Sequence, residues 1–207
     1  MKNKLIKSTA FVTILTLLII TLSGCTSMQM TYKELESKLY GLSVTIRTFD
    51  EESNVIDKIR GTSVAVMRDN IFDSKDSEGN SQKDSSVIQI SIGNNMINHV
   101  GSSLIMAEDG LEDIFEEYAK TVDVKNFDRA TPFINTMINN FKNITTGKSK
   151  LILIRSQNGT PLATYIGNSV SLFGSDIPKT TVLLVDGQVL LIYRCDYTIY
   201  DIDLLKN

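Results

Sequence analysis

Three turn pairs in the C-terminal half, Asn158-Gly159, Gly167-Asn168 and Asp186-Gly187, divide the chain into short apolar runs. Asn and Asp tolerate a left-handed backbone and Gly adopts it freely, so such pairs reverse a strand within two residues. The runs between them read LILIR, PLATYI, SVSLF, VLLV and QVLLIYRCDYTIYDI. This punctuation predicts a succession of antiparallel hairpins from Lys150 to the C-terminus, the last run forming one long strand. Whether they close into a barrel or stay an open sheet is not set by local turns.

The first half follows a related pattern. Leu42, Val44 and Ile46 alternate with Ser43, Thr45 and Arg47, which predicts a half-buried strand. It leads through an Asp50–Asn54 turn into a second strand over 55–60, and a third spans Thr62–Arg68. Residues 69–85 (DNIFDSKDSEGNSQKDS) are acidic and rich in Ser, Asn and Gly, the composition of a solvated loop or a disordered insertion. Val87–Ile92 and Met96–Met106 return to β character, interrupted at Gly93-Asn94 and Gly101-Ser102.

Helical periodicity occurs in three places. Tyr32, Leu35 and Leu39 precede a Gly41 stop. Leu111, Ile114, Phe115, Tyr118 and Val122 form an apolar stripe, with Asp109 and Glu112 as its capping pair. Thr131-Pro132 opens a second stripe of Phe133, Ile134, Met137, Ile138 and Phe141 that ends at Gly147. The expected fold class is α+β, a mostly antiparallel meander of hairpins with two main packed helices.

The N-terminus sets the address. Lys2, Lys4 and Lys7 precede an apolar run from Thr9 to Leu22 and the small pair Ser23-Gly24 before Cys25. This is the charge order of a secretory signal, and the run is short for a span of about 20 apolar residues. Small residues directly before a cysteine match a lipobox. Residues 1–24 are therefore expected to be a signal peptide, Cys25 the lipidated residue, 25–31 a short tether and 32–207 one domain. Two acyl chains on Cys25 would hold the protein stably at the extracytoplasmic face of the cell membrane, where one chain binds only reversibly.

Without residues 1–24 the chain has 18 basic and 24 acidic side chains, a formal charge of −6. That balance argues against nucleic acid as a partner and leaves attachment to membrane lipid to the acyl chains. An alkylated Cys25 leaves Cys195 without an intramolecular disulfide partner.

Familiar catalytic patterns fail on inspection. Gly147-Lys148-Ser149 ends like a phosphate loop, but Lys142 stands where glycine is required and the order is helix then strand. An EF-hand register from Asp76 puts Ser81 at the glycine position and Val87 at the bidentate Glu. His99, the one histidine, lies beside Gly101-Ser102-Ser103, and with Cys195 or a nearby serine it forms the one conceivable nucleophilic set. Cys195 alternates with Tyr193 and Tyr197, which predicts a thiol buried among aromatics. No catalytic, cofactor or metal residues are assigned; Cys25 is the assigned site.

TIRTFDEESNVIDKIRG (45–61), SVAVMRDNIFDS (63–74), HVGSSLIM (99–106), GLEDIFEEYAKTVDV (110–124), SQNGTPLATY and IYRCDYTIYD together resemble an uncharacterised family of small lipoproteins from Gram-positive, low-GC bacteria. The resemblance implies the location and a single α+β domain and carries over no functional residues. The function expected is a non-enzymatic binding module at the cell surface. The alternatives are an envelope hydrolase or transferase using His99 with Cys195 or a serine, and a prophage or mobile-element accessory lipoprotein acting on a membrane partner.

Overall fold

Strands dominate because most apolar runs of this chain are buried on both sides. The computed structural model describes residue 37, residues 39–119 and residues 147–205. Among these are β1 (Ser43–Phe49), β2 (Val55–Arg68), β3 (Ile88–Ile92), β4 (Asn95–His99), β5 (Ser103–Glu108) and the short helix α1 (Ile114–Ala119). β6 (Lys150–Arg155), β7 (Pro161–Gly167), β8 (Val170–Gly174), β9 (Thr180–Val185), β10 (Gln188–Tyr193) and β11 (Asp196–Asp201) follow. They form an eight-stranded sheet in the order β4-β3-β2-β1-β5-β10-β9-β8 and a three-stranded sheet in the order β11-β6-β7. Every strand pair is antiparallel.

Two apolar clusters lie on opposite faces of the large sheet. Val44 and Ile46 of β1, Leu104 and Met106 of β5, and Val189, Leu191 and Tyr193 of β10 enter the first. Their neighbours Phe49, Ile105, Ala107, Leu190 and Ile192 enter the second, where they meet Ile152 and Ile154 of β6 and Ala163 and Tyr165 of β7. The second cluster is thus the interior of a sandwich-like pair of sheets. Burial on both faces explains why β5, β9 and β10 read as unbroken apolar runs rather than as alternation. Each such side chain contributes about 1.5–3 kcal/mol relative to an exposed one.

The α+β expectation is corrected. Among the described residues one α-helix is present, of six residues, and no pair of main helices packs on the sheet. Asp113 makes an isolated bridge with Tyr165, so the chain is still extended there and the helix cannot begin before Ile114. Asp113 is also the cap: its Oδ1 accepts from Phe115 N at 3.0 Å and Glu116 N at 3.3 Å, the role expected of Asp109. The second predicted helix, 131–147, lies outside the described residues apart from its stop, Gly147, which has φ +79°. Of the first predicted helix, Ser37 and Leu39 are helical and Gly41 follows at φ +80°.

Three strand boundaries also differ. β2 runs unbroken through Gly61, with a register shift between Ser63 and Ala65, where two strands were expected. A Cβ at Gly61 would overlap the Ile92 side chain, so glycine serves there for close approach rather than as a break. The last long strand is instead two, β10 in the large sheet and β11 in the small one. The break is Arg194, at φ +52°. Gly167-Asn168 joins β7 to β8, which lie in different sheets, so it is a crossing rather than a hairpin. Asp186-Gly187, with φ of +51° and +87°, is the type I′ hairpin expected between β9 and β10.

Candidate functional site

Arg47 belongs to the face of β1 that looks toward the small sheet. The antiparallel register sets Lys58 opposite Arg47 and Arg60 opposite Thr45. β5 flanks β1 on the other side with Ala107 opposite Thr45, and the chain then turns at Gly110 toward α1. Together these segments enclose a cleft of about 330 Å³, lined by Arg47, Lys58, Arg60, Glu108, Asp109, Asp113, Glu116 and Tyr165 among others.

The floor of the cleft is a buried ionic cluster. Arg47 Nη2 donates to Asp113 Oδ2 at 2.7 Å and to Tyr165 Oη at 2.8 Å. Arg47 Nη1 donates to Glu116 Oε2 at 3.0 Å, and Glu116 Oε1 accepts from Lys58 Nζ at 3.1 Å. Glu116 thereby separates two cations that the register places side by side. The Arg47 and Asp113 side chains are each 7% exposed, so the pair is desolvated. Asp113 Oδ1 also accepts from Thr164 N at 2.9 Å, which ties α1, β1 and β7 to one carboxylate. The Arg47 guanidinium also lies over the Phe49 ring, 5.4 Å from its centroid.

Burial lowers the Arg47 pKa, but Tyr165, Asp113 and Glu116 outweigh it and hold the guanidinium above its ordinary value. The same burial, with the Asp113 charge, pushes the Tyr165 phenol up, so it stays protonated. Burial also pushes the Asp113 carboxyl up, against the pull of Arg47 and its backbone donors. The cluster is engaged with itself and fixes the floor as a rigid polar surface.

The rim is more open. Arg60 Nε donates to Thr45 Oγ1 at 3.0 Å, and Thr45 Oγ1 donates to Asp109 Oδ1 at 3.0 Å. The terminal nitrogens of Arg60 have no partner among the described residues, and its side chain is exposed. Glu108 is anchored by accepting from Val189 N at 2.7 Å. The cleft therefore offers a fixed floor and a rim carrying both signs of charge, suited to a polar ligand with donors and acceptors.

His99 and Cys195 are not brought together. The His99 ring packs edge-on against Tyr193, centroids 5.6 Å apart, and its Nε2 is 2.9 Å from the Ser102 carbonyl. Tyr193 belongs to the first cluster, whereas Cys195 packs against the second with Tyr197 and Ile199. The kink at Arg194 undoes the alternation that would have placed Tyr193 and Cys195 on one face. Burial pushes the Cys195 thiol up to about 12, and it donates to the carbonyls of Tyr193 and Leu104 at 3.2 and 3.8 Å. Such a thiol is the inert kind. Ser103 Oγ donates to the Arg194 carbonyl at 2.9 Å.

The acidic segment 69–85 is folded upon itself. Asp73 takes Arg68 Nε at 2.9 Å and Ser81 Oγ at 2.6 Å, Asp84 takes Ser74 N and Oγ, and Asp76 takes Glu78 N and Asn80 N. Among the described residues no group of three or more His, Cys, Asp or Glu side chains is placed to hold a metal ion. Lys148, of the failed phosphate loop, pairs with Asp186 at 3.4 Å, and Ser149 Oγ donates to the Asn168 carbonyl. Cys25 lies outside the described residues. No helix among the described residues is long and apolar enough to cross a membrane.

The residues of the cleft were missed in the sequence because their partners lie 66 to 118 positions from Arg47. The local signal was an arginine on a strand face that periodicity assigns to solvent. A family model described as a domain of unknown function (DUF5052) matches residues 7–205. No curated protein and no solved structure matches the chain.

Proposed function

We propose that this chain, which belongs to the DUF5052 family, is a lipoprotein of a Gram-positive cell that binds a polar ligand at the extracytoplasmic face of the membrane. The support for the address is in the sequence: a lysine-rich start, an apolar run and the small pair before Cys25. A diacylated Cys25 and the short tether after it hold the domain close to the lipid.

The observation that carries the binding reading is the contrast within the cleft. Its floor is immobilised by the Arg47, Asp113 and Tyr165 cluster, while the Arg60 guanidinium and the Asp109 carboxylate stand at its rim. Preorganised polar groups beside the terminal nitrogens of Arg60, which have no partner among the described residues, favour recognition over a surface that must rearrange. Binding rather than catalysis is supported by the separation of His99 from Cys195, which packs its thiol against the opposite face of the large sheet.

The address is tested in a Gram-positive host by labelling cells with an alkyne fatty acid and fractionating membranes. The wild-type chain takes up the label and sediments with membranes. Cys25→Ala loses the label. A Cys25→Ala chain that keeps the label, or a wild-type chain without label, overturns the lipoprotein reading.

A further inference from the structure

A second cavity, of about 410 Å³, opens where the chain leaves the large sheet for the small one; Ser175, Lys179, Thr181, Arg194, Cys195 and Asp196 are among its lining residues. Its two cations, like Lys83 elsewhere in the molecule, sit on left-handed backbone. Arg194 and Lys179 have φ of +52° and +62°, left-handed conformations that long side chains rarely adopt. The Arg194 N–H donates to the Lys179 carbonyl at 2.9 Å. The Arg194 carbonyl accepts from the buried Ser103 hydroxyl at 2.9 Å. The backbone that aims both side chains is therefore pinned from two sides.

Neither cation is neutralised. Arg194 Nε is buried without a hydrogen-bond partner. Among the described residues neither Arg194 nor Lys179 makes a side-chain hydrogen bond or ion pair, in contrast to Arg47, Arg68 and Lys58. A buried guanidinium N–H left unpaired is costly, and native structures keep such groups where something else satisfies them. Locally strained backbone at a pocket points the same way.

We propose that this cavity binds one monoanionic oxyanion, a carboxylate or a phosphodiester, on the Arg194 guanidinium, with Lys179 and the Thr181 hydroxyl completing its coordination. The planar fork of arginine matches two oxygens of either group. Two cations beside Asp196 leave a local charge of one positive unit, which suits a single negative charge rather than a dianion. The site is separate from the cleft at Arg47 and stands or falls independently of it.

The test is a titration of the full chain in detergent micelles, labelled with ¹⁵N, with dimethyl phosphate and with acetate. The Arg194 Nε–H signal and the Thr181 and Cys195 amides shift saturably with at least one of them. A response to dimethyl phosphate alone assigns a phosphodiester, to acetate alone a carboxylate, and to both the shared monoanion chemistry. Arg194→Asn, chosen because Asn tolerates the left-handed backbone, weakens binding by about tenfold or more, as expected for a lost charge-assisted hydrogen bond. Absence of saturable shifts with both probes, or unchanged affinity in Arg194→Asn, overturns the proposal. Should that variant not fold, the exposed Lys179→Asn decides: weakened binding supports the site and unchanged affinity overturns it.

Discussion

Arg47 shows how much one side chain can organise when its partners come from three parts of the chain. It joins β1 to Asp113 before α1, to Glu116 within α1 and to Tyr165 on β7. Buried ion pairs contribute little net stability compared with apolar packing, yet removing one member strands the other. Arg47→Met is therefore expected to lower unfolding free energy by about 3–5 kcal/mol, measured by urea denaturation, because Asp113 is left as a buried carboxyl without its cation. A loss below about 1 kcal/mol would mean that the cluster behaves as an exposed pair. The sequence marked Arg47 as a solvent-facing residue of an alternating strand. Nothing within ten positions of it reveals Asp113 or Tyr165, since attraction between these groups exists only after the small sheet has docked.

Among the elements, the segment 69–85 gained the most definition over its sequence reading. Its carboxylates replace a core: the Ser81 hydroxyl holds the Asp73 carboxyl below the usual range, Asn80 N does so for Asp76 and the Ser74 hydroxyl for Asp84. A carboxyl with a depressed folded pKa stabilises the fold above its unfolded value of about 3.9 and ceases to do so as pH falls through the folded value. Amides of Ser74, Asn80 and Ser85 should thus keep their shifts and slow hydrogen exchange below the unfolded-state value of about 3.9 and lose them only as pH falls further, through the depressed folded values. Loss of both above about pH 4, where the carboxyls are still ionised, would show that these bonds do not hold the segment. Acidity and Ser content correctly placed this segment outside the sheets. They could not distinguish a free loop from one whose acids bond its own backbone, because that depends on the spacing the chain adopts and not on composition. The expected helix over 109–122 erred for a related reason. Ile114 and Phe115 of the apolar stripe are buried, but the extended bridge from Asp113 to Tyr165 outcompetes the first helical turn, so the helix opens at Ile114.

At the scale of the molecule, the eight-stranded sheet belongs to both apolar clusters at once. β1, β5, β9 and β10 each send side chains alternately to one and to the other. Neither cluster can be exposed without loosening strands that the other requires, so thermal unfolding should follow one transition with matching calorimetric and van't Hoff enthalpies. Two resolved transitions would show that the sheets unfold separately. By itself the sequence determined where most strands and reversals fall, since turn chemistry and apolar runs act over a few residues; Asp186-Gly187 in its type I′ geometry is the clearest case. Only the tertiary structure decided which strands share a sheet. Gly167-Asn168 and Arg194 look like a hairpin turn and an ordinary strand residue, yet both carry the chain from one sheet to the other. A turn dictates a change of direction, whereas the choice of partner strand follows from which faces can be buried together, and that free energy exists only once the two sheets are in contact.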